Sequence, residues 1–166
     1  MNQNLRIMKH FALLFLLLFG ILSAGLTAQD EGKSSLSVST DLVSRYVWRG
    51  LEFGNSPAIQ PTLEFSRGKF AAGFWGSYAT NGANVQEADL YLSYNISDAF
   101  SITVTDYFFP NHEIMNNNYF EYNDTLTSHV FEGMLSFAGT EKFPISMLLA
   151  VNFYGADARN IDGDLF

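Results

Sequence analysis

From residue 36 to residue 48 the chain alternates without a break. Even positions read Leu36, Val38, Thr40, Leu42, Ser44, Tyr46 and Trp48, and odd positions read Ser37, Ser39, Asp41, Val43, Arg45, Val47 and Arg49. Successive side chains of an extended strand point to opposite faces, so this spacing builds one apolar face and one polar, charged face. At the helical spacing of about 100° per residue the same two sets would scatter around the whole circumference. The segment is predicted to be a strand.

The pattern then repeats. Ile59, Pro61, Leu63 and Phe65 alternate with Gln60, Thr62 and Glu64, and Phe70, Ala72, Phe74, Gly76 and Tyr78 with Ala71, Gly73, Trp75 and Ser77. Ala88, Leu90, Leu92, Tyr94 and Ile96 alternate with Glu87, Asp89, Tyr91, Ser93 and Asn95. Phe100, Ile102, Val104 and Phe108 face away from Ser101, Thr103, Thr105 and Tyr107, as do Phe131, Gly133, Leu135 and Phe137 from Val130, Glu132, Met134 and Ser136. Ile145, Met147, Leu149, Val151 and Phe153 complete the series. Seven strands follow, most near the roughly ten residues that a tilted membrane-spanning strand needs.

The connections carry a second signal. Residues 66–69, 97–99 and 138–143 read as tight links, whereas 50–57, 79–86 and 110–125 are longer, polar and rich in Asn, Gly and Pro. Outer-membrane barrels show this asymmetry, with short periplasmic turns and longer extracellular loops. Aromatics gather at the segment ends. Tyr46, Trp48, Tyr78, Phe108, Phe109, Phe153 and Tyr154 are assigned to an outer rim, and Phe65, Phe70, Tyr94, Phe100 and Phe137 to a periplasmic rim, as interfacial girdles would be. The predicted fold class is all-β, an antiparallel up-and-down transmembrane β-barrel.

Residues 1–28 read differently. Arg6, Lys9 and His10 precede the apolar run 11–19 and Gly20, Ile21 and Leu22, with small residues Ser23, Ala24, Gly25, Thr27 and Ala28 after it. That order describes a secretory signal peptide with cleavage after Ala28, Gly25 being the second choice, and the run is short of the roughly 20 residues of a spanning helix. Residues 29–166 form the barrel domain. Removing the leader takes two basic residues and no acid, so the formal net charge falls from −8 to −10. An acidic chain lacks the basic footprint of a nucleic-acid binder. The absence of Cys excludes disulfides, thiolate metal sites and cysteine nucleophiles.

Three residues break the pattern. Pro61 cannot donate a ladder hydrogen bond and suggests a bulge or an unpaired edge. Asp106 and His129 fall on the apolar face, where a charge is tolerable near the interface but costly deeper in lipid. Asp106 is read as interfacial or as a sign of shifted register. Seven is itself an odd count for a barrel whose termini should both reach the periplasm, so the barrel is expected to be incomplete and to lack later strands. Residues 155–166 read as loop.

The block Asp41 to Gly50 (DLVSRYVWRG), followed by Pro57 to Gln60 (PAIQ), resembles the opening of the TorF-type porin family of Gram-negative bacteria. Similar blocks follow in order at 73–77 (GFWGS), 87–94 (EADLYLSY), 107–110 (YFFP) and 129–137, so the likeness covers about 36–154. What the resemblance implies is an outer-membrane barrel and a pore, without a catalytic motif, in a family whose members are longer than this chain.

No constellation suggests catalysis or a cofactor. His112 and Glu113 are a lone pair without a further ligand, and Asn160, Asp162 and Asp164 lack the closing Glu of a calcium loop. Function is instead assigned to the polar face, where Asp41, Arg45, Arg49, Glu64, Glu87, Asp89 and Glu132 are predicted to line a lumen. Charged rings in a narrow aqueous path select ions, and five acids against two arginines favour cations. Arg45 and Arg49 are expected to pair with lumenal acids on neighbouring strands. The expected partners are outer-membrane lipid, small polar solutes and, in transit, the barrel assembly machinery. Two alternatives share the same alternation: a soluble exported barrel with the apolar face inward around an apolar ligand, and a non-conducting barrel displaying 110–125 as an adhesive loop.

Overall fold

The structure, a computed structural model, describes residues 34–82, 86–110, 118–123 and 126–155. The leader, most of 110–125 and the segment beyond 155 lie outside these residues, and with them His112, Glu113, Asn160, Asp162 and Asp164.

Among the described residues there are nine strands: β1 (Ser35–Val43), β2 (Tyr46–Trp48), β3 (Leu51–Gly54), β4 (Ala58–Arg67), β5 (Phe70–Ala79), β6 (Gln86–Asn95), β7 (Phe100–Phe108), β8 (His129–Phe137) and β9 (Met147–Gly155). Seven of them form one antiparallel sheet in the order β1-β4-β5-β6-β7-β8-β9, and β2 and β3 form a separate hairpin. Neighbours in sequence are neighbours in space, which is the up-and-down arrangement. β1 and β9 are the margins and do not pair with each other, so the sheet is not closed.

Register places the alternation in rows. Leu36, Phe65, Ala72, Leu92, Val104, Gly133 and Val151 lie side by side across all seven strands. Val38, Leu63, Phe74 and Leu90 form the start of the next row. This face is exposed, with Leu36 at 68% and Leu149 at 65% of full accessibility. Below it, at the end with the short turns, the rings of Phe70 and Tyr94 lie 4.7 Å apart and those of Phe100 and Phe137 4.8 Å apart. Most of the buried side chains lie on the opposite face, and most of those are polar: Gln60, Ser77, Glu87, Asp89, Thr105 and Glu132. The buried apolar residues are only Tyr46, Ala58, Phe108 and Val130 among the described residues. The burial is inside-out relative to a water-soluble sheet.

The first predicted strand is corrected. Pairing with β4 stops at Val43, Ser44 and Arg45 form a bend, and Tyr46 to Gly54 fold back as the β2–β3 hairpin. The long connection between the first two sheet strands is therefore 44–57 and contains this hairpin. The last strand starts at Met147 and not at residue 145, and its preceding link is tied by a bridge between Thr140 and Phe143. Pro61 makes no bulge: β4 keeps one register on β5 either side of it, from Ile59 opposite Tyr78 to Thr62 opposite Trp75. The register shift lies instead at the Phe131–Glu132 step of the β8–β9 pair. Gly73 has its own reason. A Cβ there would run into the Tyr91 side chain, which crosses β5 so that its hydroxyl donates to Glu64 Oε2 at 2.8 Å.

Candidate functional site

The site is built by the β2–β3 hairpin lying on the polar face at the long-loop end of the sheet. Its two-residue turn is Arg49-Gly50, with φ of 47° and 83°. A two-residue turn of type I′ needs positive φ at both central residues, which Gly accepts freely and a long side chain does not. Arg49 is the lone non-Gly residue with positive φ among the described residues. Its side chain supplies the compensation: Nη1 and Nη2 donate to the two oxygens of Glu132 at 2.6 and 2.8 Å. This fork-to-fork pairing, with a carboxylate nearly out of solvent, is among the strongest polar contacts available to a side chain. The Glu132 hydrogen bonds hold the Arg49 guanidinium above its already high ordinary value.

Tyr46 anchors the other end. It retains 4% of its accessibility, donates its hydroxyl to Glu87 Oε2 at 2.5 Å, and sets its ring 5.5 Å from that of Trp75. Trp48 meets Tyr107 edge-on at 6.1 Å, and the Arg49 guanidinium carbon lies 4.1 Å from the Trp48 ring centroid. The Tyr107 hydroxyl donates to Glu132 at 3.0 Å, so that carboxylate accepts three hydrogen bonds. Asp89, between Trp75 on β5 and Tyr107 on β7, is less well served: its Oδ1 is buried and has no hydrogen-bond partner. Tyr46, Trp48, Phe53, Tyr107, Phe109 and Glu87 are among the walls of a cavity of about 80 Å³ beneath the hairpin.

The seven residues assigned to the polar face thus separate. Arg49, Glu87, Asp89 and Glu132 come together under the hairpin. Glu64 lies on the same face nearer the short turns, bonded by Tyr91. Asp41 sits exposed on the marginal strand opposite Gln60. Arg45 binds Glu52 at 2.8 Å within the hairpin, an exposed pair, and not an acid of the sheet. Tyr46 and Trp48 are corrected most: they cover the polar face and do not continue the apolar rim, because the bend at 44–45 reverses which way β2 presents its side chains.

Asp106 and His129 resolve each other. They stand on adjacent strands, and His129 Nδ1 lies 2.6 Å from Asp106 Oδ1. His129 Nε2 lies 2.7 Å from the Tyr119 carbonyl, and the Tyr122 ring stacks on the imidazole at 4.4 Å. His129 is fully buried, so a loop closes over this polar pair on the apolar face. Burial, and then the Asp106 charge, push the Tyr119 and Tyr122 hydroxyls above the ordinary tyrosine range. The pairing of β7 on β8 shows no register shift at this point.

Fold and site together define an antiparallel up-and-down β-sheet protein with an exposed apolar face and a capped, acid-rich polar face. The chain belongs to a family described as bacterial protein of unknown function (Gcw_chp), whose family model matches residues 27–162. No curated protein and no solved structure matches it.

Proposed function

We propose that the chain is an outer-membrane β-barrel that lets small polar solutes or cations diffuse passively along its acid-lined face. The observation that carries this reading is the inverted burial: leucines, valines and phenylalanines of every sheet strand are exposed while Glu87, Asp89 and Glu132 are not. Each large apolar side chain left in water forgoes about 1.5–3 kcal/mol. A dozen such residues would forgo roughly 18–36 kcal/mol, more than the about 5–15 kcal/mol by which a domain is stable, so this face needs an apolar covering. Acyl chains supply one along the whole sheet. The strand lengths, the aromatic rows and the resemblance of 41–50 to the TorF-type porin opening point the same way. A soluble barrel around an apolar ligand needs the opposite burial. In lipid both margins, β1 and β9, require strand partners, since no water is there to satisfy their backbone groups.

The surplus of carboxylates over Arg49 at the loop end favours cations. Full-length protein reconstituted in a planar bilayer is expected to give discrete conductance steps with a cation-biased reversal potential in a salt gradient. Flat traces from protein shown to be folded would overturn the pore reading.

A further inference from the structure

The geometry points to a binding site for a methylated ammonium cation in the cavity beneath the β2–β3 hairpin. The inference rests on the reading of this face as a solute path and adds the class of solute that the path recognises.

Three features of the cavity carry it. First, its walls are aromatic to an unusual degree: Tyr46, Trp48, Phe53, Tyr107 and Phe109, with neighbouring ring centroids 5.4–6.5 Å apart, enclose it beside the Glu87 carboxylate. Ring faces attract a cation within about 6 Å, and cages of this composition suit quaternary ammonium groups. One wall already does so, since the Arg49 guanidinium lies over the Trp48 ring. Second, one carboxylate faces the cavity: Glu87 is at least nine-tenths buried and stands in the lining, with no cation paired to it among the described residues. Third, the hydroxyls lining the cavity are committed, Tyr46 to Glu87 and Tyr107 to Glu132.

Those commitments choose the ligand class. A primary ammonium carries three N–H donors, against which the lining offers only the Glu87 carboxylate and the Asn152 amide oxygen, and a divalent metal needs several oxygen ligands. No group of three or more metal-ligating side chains occurs among the described residues. A methylated ammonium needs neither. It offers no donors, spreads its charge over apolar methyls and is satisfied by ring faces plus a nearby carboxylate. The volume is several times the roughly 10–15 Å³ of such space that one water needs, which leaves room for a head group of a few heavy atoms.

The chain's two tryptophans, Trp48 and Trp75, both belong to this neighbourhood, so intrinsic tryptophan fluorescence reports on it directly. The full chain, folded in a maltoside detergent, would be titrated with tetramethylammonium chloride and with choline chloride against sodium chloride at equal ionic strength. A saturable change is expected with both organic cations and not with sodium. The neutral choline isostere 3,3-dimethyl-1-butanol is expected to bind at least tenfold more weakly, and Glu87→Gln, which keeps an acceptor for Tyr46, should weaken tetramethylammonium about tenfold. Repeating the titration with a short-chain phosphatidylcholine separates the sources: saturation at matched head-group concentration assigns a lipid head group, and saturation by free choline alone assigns a solute. A linear response, or equal binding of the neutral isostere by wild-type protein, would overturn the proposal. Binding without conductance would remove only the pore reading, and conductance without saturable binding would remove only the cage.

Discussion

Leu92→Arg is expected to abolish assembly into membranes. Leu92 stands near the middle of β6 in the row that crosses all seven strands, with Ala72 and Val104 as its direct neighbours and no acid beside it. An arginine on the lipid face costs about 2–4 kcal/mol at the bilayer midplane, against near zero at the interface. That is a large share of the stability of a chain this size. One residue along, Ser93 points to the other face, where its hydroxyl meets Thr103 at 2.7 Å. Ser93→Lys should therefore assemble at close to the wild-type yield. Folding into lipid vesicles, followed by the mobility difference between folded and heat-unfolded protein on cold gels, compares the two. Equal yields for Leu92→Arg and wild type would show that this face does not meet lipid.

The second large effect concerns the hairpin. Glu132→Leu leaves the Arg49 guanidinium without its carboxylate and the positive-φ turn without its compensation. Breaking a buried ion pair costs about 3–5 kcal/mol, and about 2–3 kcal/mol is expected here because Arg49 keeps a third of its side-chain exposure. The hairpin should detach while the seven-stranded sheet persists, since β2 and β3 share no ladder with it. Chymotrypsin should then cut at Tyr46, Trp48 or Phe53 in protein that is otherwise protected, and single-channel current should rise. In a double-mutant cycle with Arg49→Ala, the two losses should be clearly less than additive. Unchanged protection and current in both single variants would contradict the hairpin's role as a latched cover.

Much of the sheet was legible in the chain because period two is a strictly local signal. Each strand announces its own two faces, and the register merely stacks them. The hairpin was not, for a specific reason: Tyr46 and Trp48 continue the phase of Leu36 to Leu42, so the alternation runs straight through the bend at 44–45. The available clue was Gly50 between the short runs 46–48 and 51–53, a residue that accepts the positive φ of a two-residue turn. Acids on the polar face could be named from parity alone, but not which of them would meet. Glu87 and Glu132 are joined through Tyr46 and Arg49 of the hairpin, and Asp41 is left at the margin, because those outcomes depend on strand order and a folded-back loop. Asp106 and His129 looked like two separate faults. They are one cross-strand pair, visible only once β7 and β8 are in register.

On the proposed reading the apolar face of each strand meets acyl chains. The chain contains no cysteine, so single cysteines introduced as Leu90→Cys, Tyr91→Cys, Leu92→Cys and Ser93→Cys can each carry a fluorophore in reconstituted protein. Quenching by spin-labelled lipids should be strong at 90 and 92 and weak at 91 and 93, with water-soluble iodide showing the reverse. Uniform quenching along the strand, or lipid quenching at 91 and 93 in place of 90 and 92, would contradict it.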